Sequence, residues 1–288
     1  MASGQQVFDI PEDSLVVDLH LHSSASDGEY PPRRVMERAK SAGLSVVSLT
    51  DHDTVAGLGE ARSEAKRLGL EFVNGIELSS VHGGHLVHVL GHFIRPEDPE
   101  LGTQMKMYME SRRTRMGEML ERLRALSVPI DKEDFLREYG RASSIGRGHL
   151  SAYMVRKNLV SNREEVFGKY LGEGGPAYVE LAMIAPDEAV RLIAGAGGAA
   201  TLAHPNLSES DEIIPELVSA GLAGIEVEHP SQDEEARRHY LALAERYGLI
   251  PMGGSDCHGA RPGPERIGQF RQPVRNYLGL RRRAKAAL

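Results

Sequence analysis

The chain has 288 residues, 34 basic and 41 acidic groups and a net charge of −7, with 41% hydrophobic and 26% charged residues. These values describe an ordinary globular chain of one large or two small domains and exclude wholesale disorder. A single cysteine, Cys257, excludes an intrachain disulfide framework and fits a reducing compartment. No run approaches the ~18 apolar residues of a membrane span, and residues 1–14 lack the basic and apolar regions of a secretory signal. A cytoplasmic protein without membrane association is therefore expected.

Residues 14–19 (SLVVDL) predict a buried strand, and residues 31–42 a helix with prolines at its start. A strand at 44–49, a helix at 54–68, a strand at 70–76 and a strand at 85–94 follow. The rhythm returns with helix 186–196, strand 198–203, helix 211–220, strand 224–228, helix 233–247 and strand 249–253. Repeated β-α units of this kind call for a parallel sheet, open or closed into a barrel. Between 102 and 171 no strand is predicted. Met105, Met109, Met116, Met119, Leu120 and Leu123 fall at helical spacing within 104–127 and read as a core face. Shorter helices fit 132–139, 149–158 and 163–171. The organisation expected is an α/β host made of 1–101 and 176–288, with a helical insertion at 102–175 that caps the site and recognises substrate. Between Arg261 and Leu288, eight basic residues and the one acid Glu265 give +7, which leaves −14 on the rest of a chain totalling −7. That tail reads as a solvated helix end whose cations suit the C-terminal dipole.

The decisive residues are polar groups at the ends of predicted strands. The first strand runs into His20 and His22, two apart and so on one face, followed by Asp27. The second ends in Asp51-His52, the third in Glu77, and the fourth carries His88. Strand 198–203 delivers His204, and strand 249–253 delivers Asp256 and His258. One rim of the sheet thus gathers imidazoles and carboxylates, where α/β enzymes hold their active sites. Burying such groups unpaired is costly, and cations remove the cost, so a multinuclear metal site is expected. Cys257, between Asp256 and His258, faces away from both and reads as packing. His92 shares a strand face with His88, and His82 and His85 flank Gly83-Gly84 as a hairpin turn. His149, His229 and His239 have weaker claims as ligands.

The segments VDLHLHSSASDG, SLTDHDTVAGL, GIELS, HVLGHFI, LAHP and GGSDCHG resemble, in order and spacing, the motifs of the PHP (polymerase and histidinol phosphatase) superfamily of metal-dependent phosphoesterases. The resemblance covers roughly residues 15–259, and the insertion from residue 143 onward is similar to that of small bacterial members acting on nucleotides. It implies an α/β fold, a distorted seven-stranded (β/α) barrel of PHP type with a small helical insertion. It also implies two to three divalent ions, Mn, Fe or Zn: His20, His22, Glu77 and Asp256 for one, a bridging Glu77 with His88 and His204 for the second, and Asp27, His52 and His258 for the third.

The activity implied is hydrolysis of phosphate monoesters of small nucleotides, such as nucleoside 3′,5′-bisphosphates. A metal-bridging hydroxide would attack, with Asp51 or His204 moving protons. A 5′-to-3′ exoribonuclease on short RNA is the alternative; a histidinol-phosphatase-like enzyme and a non-catalytic metal-binding module are weaker ones. Arg147, Lys169 and His149 are the candidates for holding substrate phosphate, with Arg141, Arg156 and Lys157 nearby in sequence. Arg147 leads because a guanidinium matches phosphate oxygens in a bidentate way. No obligate protein partner is expected.

Overall fold

The computed structural model describes residues 15–286 apart from 141, 143, 210 and 261–264. Arg141 and the N-terminal segment 1–14, both discussed above, lie outside the described residues. Seven strands pair in sequence order: β1 (Val17–Asp18), β2 (Val46–Leu49), β3 (Glu71–His82), β4 (His85–His92), β5 (Ala199–Leu202), β6 (Gly224–Glu228) and β7 (Ile250–Gly253). A bridge between Leu21 and Cys257, with His22 N donating to Cys257 O at 3.1 Å, brings the two ends of the sheet together into a nearly closed barrel.

The expected all-parallel sheet is corrected at one strand. β4 pairs antiparallel with both β3 and β5, whereas the other neighbours are parallel. The cause is local. His82 and His85 close a hairpin through Gly83 and Gly84, both at positive φ, and a two-residue turn of that kind can only return the chain antiparallel. The hairpin also makes β3 twelve residues long, well beyond the end expected at 76.

Side chains alternate across each strand, and the two faces have different partners. Val47, Ile76, Val89, Leu202 and Ile225 point outward under α1 (Pro32–Ser41), α2 (Leu58–Leu68), α7 (Pro186–Gly195), α8 (Ile214–Ala220) and α9 (Glu234–Tyr247). Val17, Leu19, Val46, Val73, Ala199 and Met252 form a separate cluster with Tyr277 and Leu280 of the C-terminal helix α10 (Val274–Ala286). Tyr277 Oη donates to Glu71 at the start of β3, so α10 seals the N-terminal end of the barrel and leaves the opposite end free for chemistry. The expected basic helix end is thus an amphipathic plug whose arginines 282 and 283 face solvent.

The helical segment carries a core of its own. α3 (Pro99–Ala125) starts against the barrel, with Leu101 and Tyr108 in the outer core, and continues so that Met116, Met119, Leu120 and Leu123 enter a second cluster. α4 (Lys132–Tyr139), α5 (Arg147–Arg156), α6 (Arg163–Val166) and a π-helical turn at Phe167–Leu171 complete that cluster. One rod therefore belongs to both cores, and the sequence boundary at 101/102 falls inside it. No helix among the described residues is long and apolar enough to cross a membrane.

Phe135 is fully buried in the second core, with ring centroids 5.3 Å from Tyr153 and 5.4 Å from Tyr139. Phe135→Ala is expected to lower stability by about 3–5 kcal/mol, read from urea unfolding; a loss below about 1 kcal/mol would mean that this layer contributes little to folding.

Candidate metal centre

The free rim of the barrel is where the ligand-type residues meet. Glu77 is fully buried, and its two oxygens divide five imidazoles between them. Oε1 lies 2.8 Å from His88 Nδ1 and 3.0 Å from His204 Nε2. Oε2 lies 3.1 Å from His20 Nε2, 3.1 Å from His22 Nε2 and 3.3 Å from His52 Nδ1. Asp256 Oδ1 adds 3.1 Å to His22 Nε2 and 3.3 Å to His20 Nε2, and Asp27 Oδ1 sits 3.2 Å from His258 Nε2. All nine residues expected as ligands are in this one cluster.

The backbone is bent to bring them there. His204 (φ 26°), Asp256 (φ 47°) and Asp53 (φ 52°) occupy the left-handed region, which costs an L-residue roughly 1–2 kcal/mol and persists only where surroundings hold it. Strand polarity explains two further placements. Because β4 runs backward, His88 reaches the cluster from mid-strand, opposite Ser79. His92, opposite Gly75, lies deeper in the barrel, where its Nε2 donates to Leu19 O at 3.0 Å.

The electrostatics are those of a ligand cage. Burial would raise the Glu77 carboxyl, but His52, His20 and His88 hold it well below the usual carboxylate range. Asp256 and Asp27 are held down against burial in the same way, by His20 with His258 and by His258 with His52. Burial would lower His22, yet Asp256 and Glu77 raise it to about 10, while burial prevails at His52 and pushes it to about 3. Buried carboxylates here are balanced by protons on imidazoles, which is charge that cations could supply instead.

Four sets of side chains bring their ligand atoms within 4.8 Å of one another: His20, His22, Glu77 and Asp256; His52, Glu77 and His88; His22, Asp27, His52 and His258; and His20, Glu226 and His229. His204 Nε2 stands 3.4 Å from His88 Nδ1 beside the second set. Both ring nitrogens of His22 and Nδ1 of His52 are buried without a hydrogen-bond partner. Orphaned imidazole nitrogens converging with carboxylates fit divalent cations of the borderline type.

Other candidates have different places. Asp51, expected to move protons, has both oxygens engaged: Oδ1 accepts from Ser23 N (2.7 Å) and Ser26 Oγ (2.6 Å), and Oδ2 from Ser23 Oγ (2.7 Å). It staples the loop that carries His22 and Asp27. Arg147 does border the centre. It lines a cavity of about 230 Å³ with Asp27, His52 and His88, and lies over the Phe167 and Tyr178 rings. Lys169 does not line that cavity; it is exposed and paired with Glu165 at 2.6 Å. His149 is buried behind the cavity, where its Nδ1 accepts from Gly146 N and fixes the start of α5. Arg156 and Lys157 are paired with Glu138 and Asp134. Cys257 packs in the outer core, as expected.

Three residues at or beside the site, Arg112, Arg115 and Glu226, were not anticipated, and a fourth, His229, had only a weaker claim as a ligand. Arg112 and Arg115 of α3 line the cavity, and Arg112 Nε donates to Asp53 Oδ2 at 3.0 Å. Arg112 and Arg115 lie three apart on the helix noted for its methionines, and an arginine pair at that spacing was the available signal. Glu226 and His229 stand behind the ligands: Glu226 Oε1 accepts from His20 Nδ1 at 2.9 Å, and His229 Nε2 lies 3.4 Å from Asp256 Oδ2. An acid at the centre of the apolar strand GIEVE was the sign of an inward-facing charge.

Comparison with known proteins agrees with this geometry. The sequence profile of the PHP domain matches residues 18–171. A 3′,5′-nucleoside bisphosphate phosphatase from Chromobacterium violaceum is 35% identical over 257 residues, 88% of this chain and 90% of its own. The chain belongs to the PHP family. Further PHP relatives are a phosphoribosyl 1,2-cyclic phosphate 1,2-diphosphodiesterase from Eggerthella lenta (35% identical, 90% of this chain and 100% of that protein) and a 5′-3′ exoribonuclease from Haemophilus influenzae (31%, 84% and 89%). Among solved structures, a chain from Bifidobacterium adolescentis assigned to the metal-dependent phosphoesterases superposes with a TM-score of 0.85 at 29% identity, covering 93% of this chain and 96% of that one. The distorted seven-stranded PHP barrel expected from the motifs is thereby borne out.

Removing a candidate ligand side chain tests the centre. Protein carrying His22→Ala or Asp256→Asn is expected to stay folded by circular dichroism but to lose at least one equivalent of bound divalent ion, measured by elemental analysis after dialysis. Full metal content in both variants would remove these residues from the ligand set.

Proposed function

We propose that this PHP chain is a phosphoesterase that removes phosphate from small nucleotides carrying a second phosphate, at a centre of two or three divalent ions, Mn, Fe or Zn. The observation that carries the reading is the cavity beside the ligand cluster: metal-ligand candidates Asp27, His52 and His88 form one part of its wall, and Arg112, Arg115 and Arg147 another. Of these arginines, Arg112 pairs with the Asp53 carboxylate, while Arg115 Nε and Arg147 Nη1 donate to the carbonyls of Val179 and Leu171. Burial lowers both Arg115, to about 10, and Arg147, a cost that a bound anion would offset.

Ions at the centre would neutralise ester oxygens and acidify a bound water. The chain's own groups do the rest. Glu77, Asp256, His88 and His204 would be among the residues that hold the ions. Arg147 and Arg115 hold a phosphate in the cavity, and the Phe167 and Tyr178 rings support the Arg147 guanidinium. Residues 102–175 then serve as the cap that recognises the substrate. The name of the Chromobacterium relative supports a bisphosphate, and that of the Haemophilus relative supports short RNA as the competing substrate.

Two measurements test the proposal. Metal-loaded protein should release inorganic phosphate from adenosine 3′,5′-bisphosphate with a kcat/KM at least tenfold above its rate of mononucleotide release from a 5′-phosphorylated oligonucleotide; the reverse order would favour the exonuclease. Arg147→Ala should lower kcat/KM for the bisphosphate about tenfold to a hundredfold, the equivalent of about 1.5–3 kcal/mol for a charged contact, with metal content unchanged. Unaltered kinetics would take Arg147 out of the substrate site.

A further inference from the structure

We infer that Glu226 and His229 are positioning residues that hold His20, His204 and Asp256 in ligand geometry for the ions, without being ligands themselves. Glu226 lies on β6 between Ile225 and Val227, which face the outer core, so its side chain points into the barrel. It is 1% exposed. A carboxylate in that position needs donors to offset desolvation, and it has two. His20 Nδ1 donates to Oε1 at 2.9 Å, and the backbone N of His204 donates to Oε2 at 2.8 Å.

Each contact has a consequence at the rim. An ionised carboxylate only accepts, so His20 carries its proton on Nδ1 and directs Nε2 to Glu77 and Asp256, at 3.1 and 3.3 Å. The bond from His204 N anchors the residue whose φ is 26°, an angle a histidine adopts only under constraint. Gly254 makes the arrangement possible: a Cβ there would run into His20 Cβ and come within 3.0 Å of Glu226 Oε1.

His229 completes the layer from the loop after β6. Its Nδ1 accepts from Ser231 N at 3.1 Å, and Asn206 Nδ2 donates to Ser231 O at 2.8 Å, which fixes the turn. Nδ1 also lies 2.7 Å from Ser231 Oγ, and the opposite ring atom, Nε2, is buried 3.4 Å from Asp256 Oδ2. Asp256 Oδ1 is the oxygen that faces His20 and His22. One carboxylate oxygen is therefore turned toward the ion cluster and the other toward His229. Imidazoles and carboxylates backed in this way are the usual outer layer of metal centres, and losing such a partner weakens metal binding about 10–100-fold.

Glu226→Gln is the informative change because an amide has one acceptor and one donor atom, whereas both neighbours are donors. One of the two contacts must fail at nearly constant volume. The inference rests on the metal-centre reading but on no particular substrate, so it is tested first by metal binding alone. Metal-free protein is titrated with Mn²⁺ against a chelating indicator, with circular dichroism and thermal melting of the same samples. A folded Glu226→Gln protein should bind Mn²⁺ about 10–100-fold more weakly; affinity within twofold of the parent would overturn the role of Glu226. The activating Mn²⁺ concentration should rise by a similar factor while kcat at saturating Mn²⁺ stays within about threefold. A kcat that stays low at any Mn²⁺ concentration would overturn positioning in favour of a direct chemical part.

If Glu226→Gln does not fold, His229 decides. His229→Leu should weaken Mn²⁺ binding about tenfold, and His229→Gln, whose amide can still donate to Asp256, should restore it to within about threefold. Equal affinities for the Leu and Gln proteins would overturn the inference. Failure of the bisphosphate assay with these affinities intact would instead count against the nucleotide reading.

Discussion

A carboxylate with no access to solvent, touched by five imidazoles, is the constraint from which the rest of this molecule follows. Glu77 cannot be buried as an isolated anion, so positive charge must be gathered around it. The barrel supplies that charge from most of its strands. His20 and His22 come from the end of β1, His52 from the end of β2, His88 from the middle of β4, and His204 from the end of β5. A flat sheet could not do this, because its first and last strands would stand too far apart. Closure through Leu21 and Cys257 brings Asp256 and His258 from beyond β7 against His22 from beyond β1. Sealing the opposite end with α10 then leaves a single face for the polar centre.

Most of this centre was legible in the chain before its fold was described, for a physical reason. Ligands delivered by strand ends must occur directly after short apolar runs, and the residues at 20, 22, 52, 204, 256 and 258 do. What was not legible depends on direction and on pairing. The turn at Gly83-Gly84 was read correctly, yet its consequence was not: a reversed β4 places His92 below the cluster while His88 joins it. Glu226 was overlooked among its neighbours, since GIEVE reads as an apolar strand, although the acid at its centre marks a charge that faces into the barrel. Lys169 and Arg147 were both candidates among the insertion cations, with Arg147 the leading one. A Glu165 four residues earlier engages the first on the surface, and the rings of Phe167 and Tyr178 hold the second beside the centre.

The helical layer and the barrel are joined by charge as well as by packing. Asp53, in the left-handed region directly after His52, accepts from Ser79 N through one oxygen and pairs with Arg112 of α3 through the other. Arg112 also donates to Ser79 Oγ at 2.9 Å. The loop that presents His52, the strand that presents Glu77 and the helix that begins the second core are thereby tied at one point. A buried ion pair of this kind adds little net stability, but it fixes the relative position of three elements whose alignment the site requires.

The unusual length of β3 has a consequence of scale. The same strand carries Glu77 at the centre and, two and four residues on, Ser79 and Val81 in the cavity wall. An extended backbone advances about 3.3 Å per residue, so Val81 lies roughly 13 Å along the strand from the bridging carboxylate. That strand is hydrogen-bonded to β4 from Gly75 to His82. The interval between centre and wall is therefore set by covalent geometry, like graduations on a rule, and a molecule in the cavity is measured against a scale that side-chain motion does not stretch.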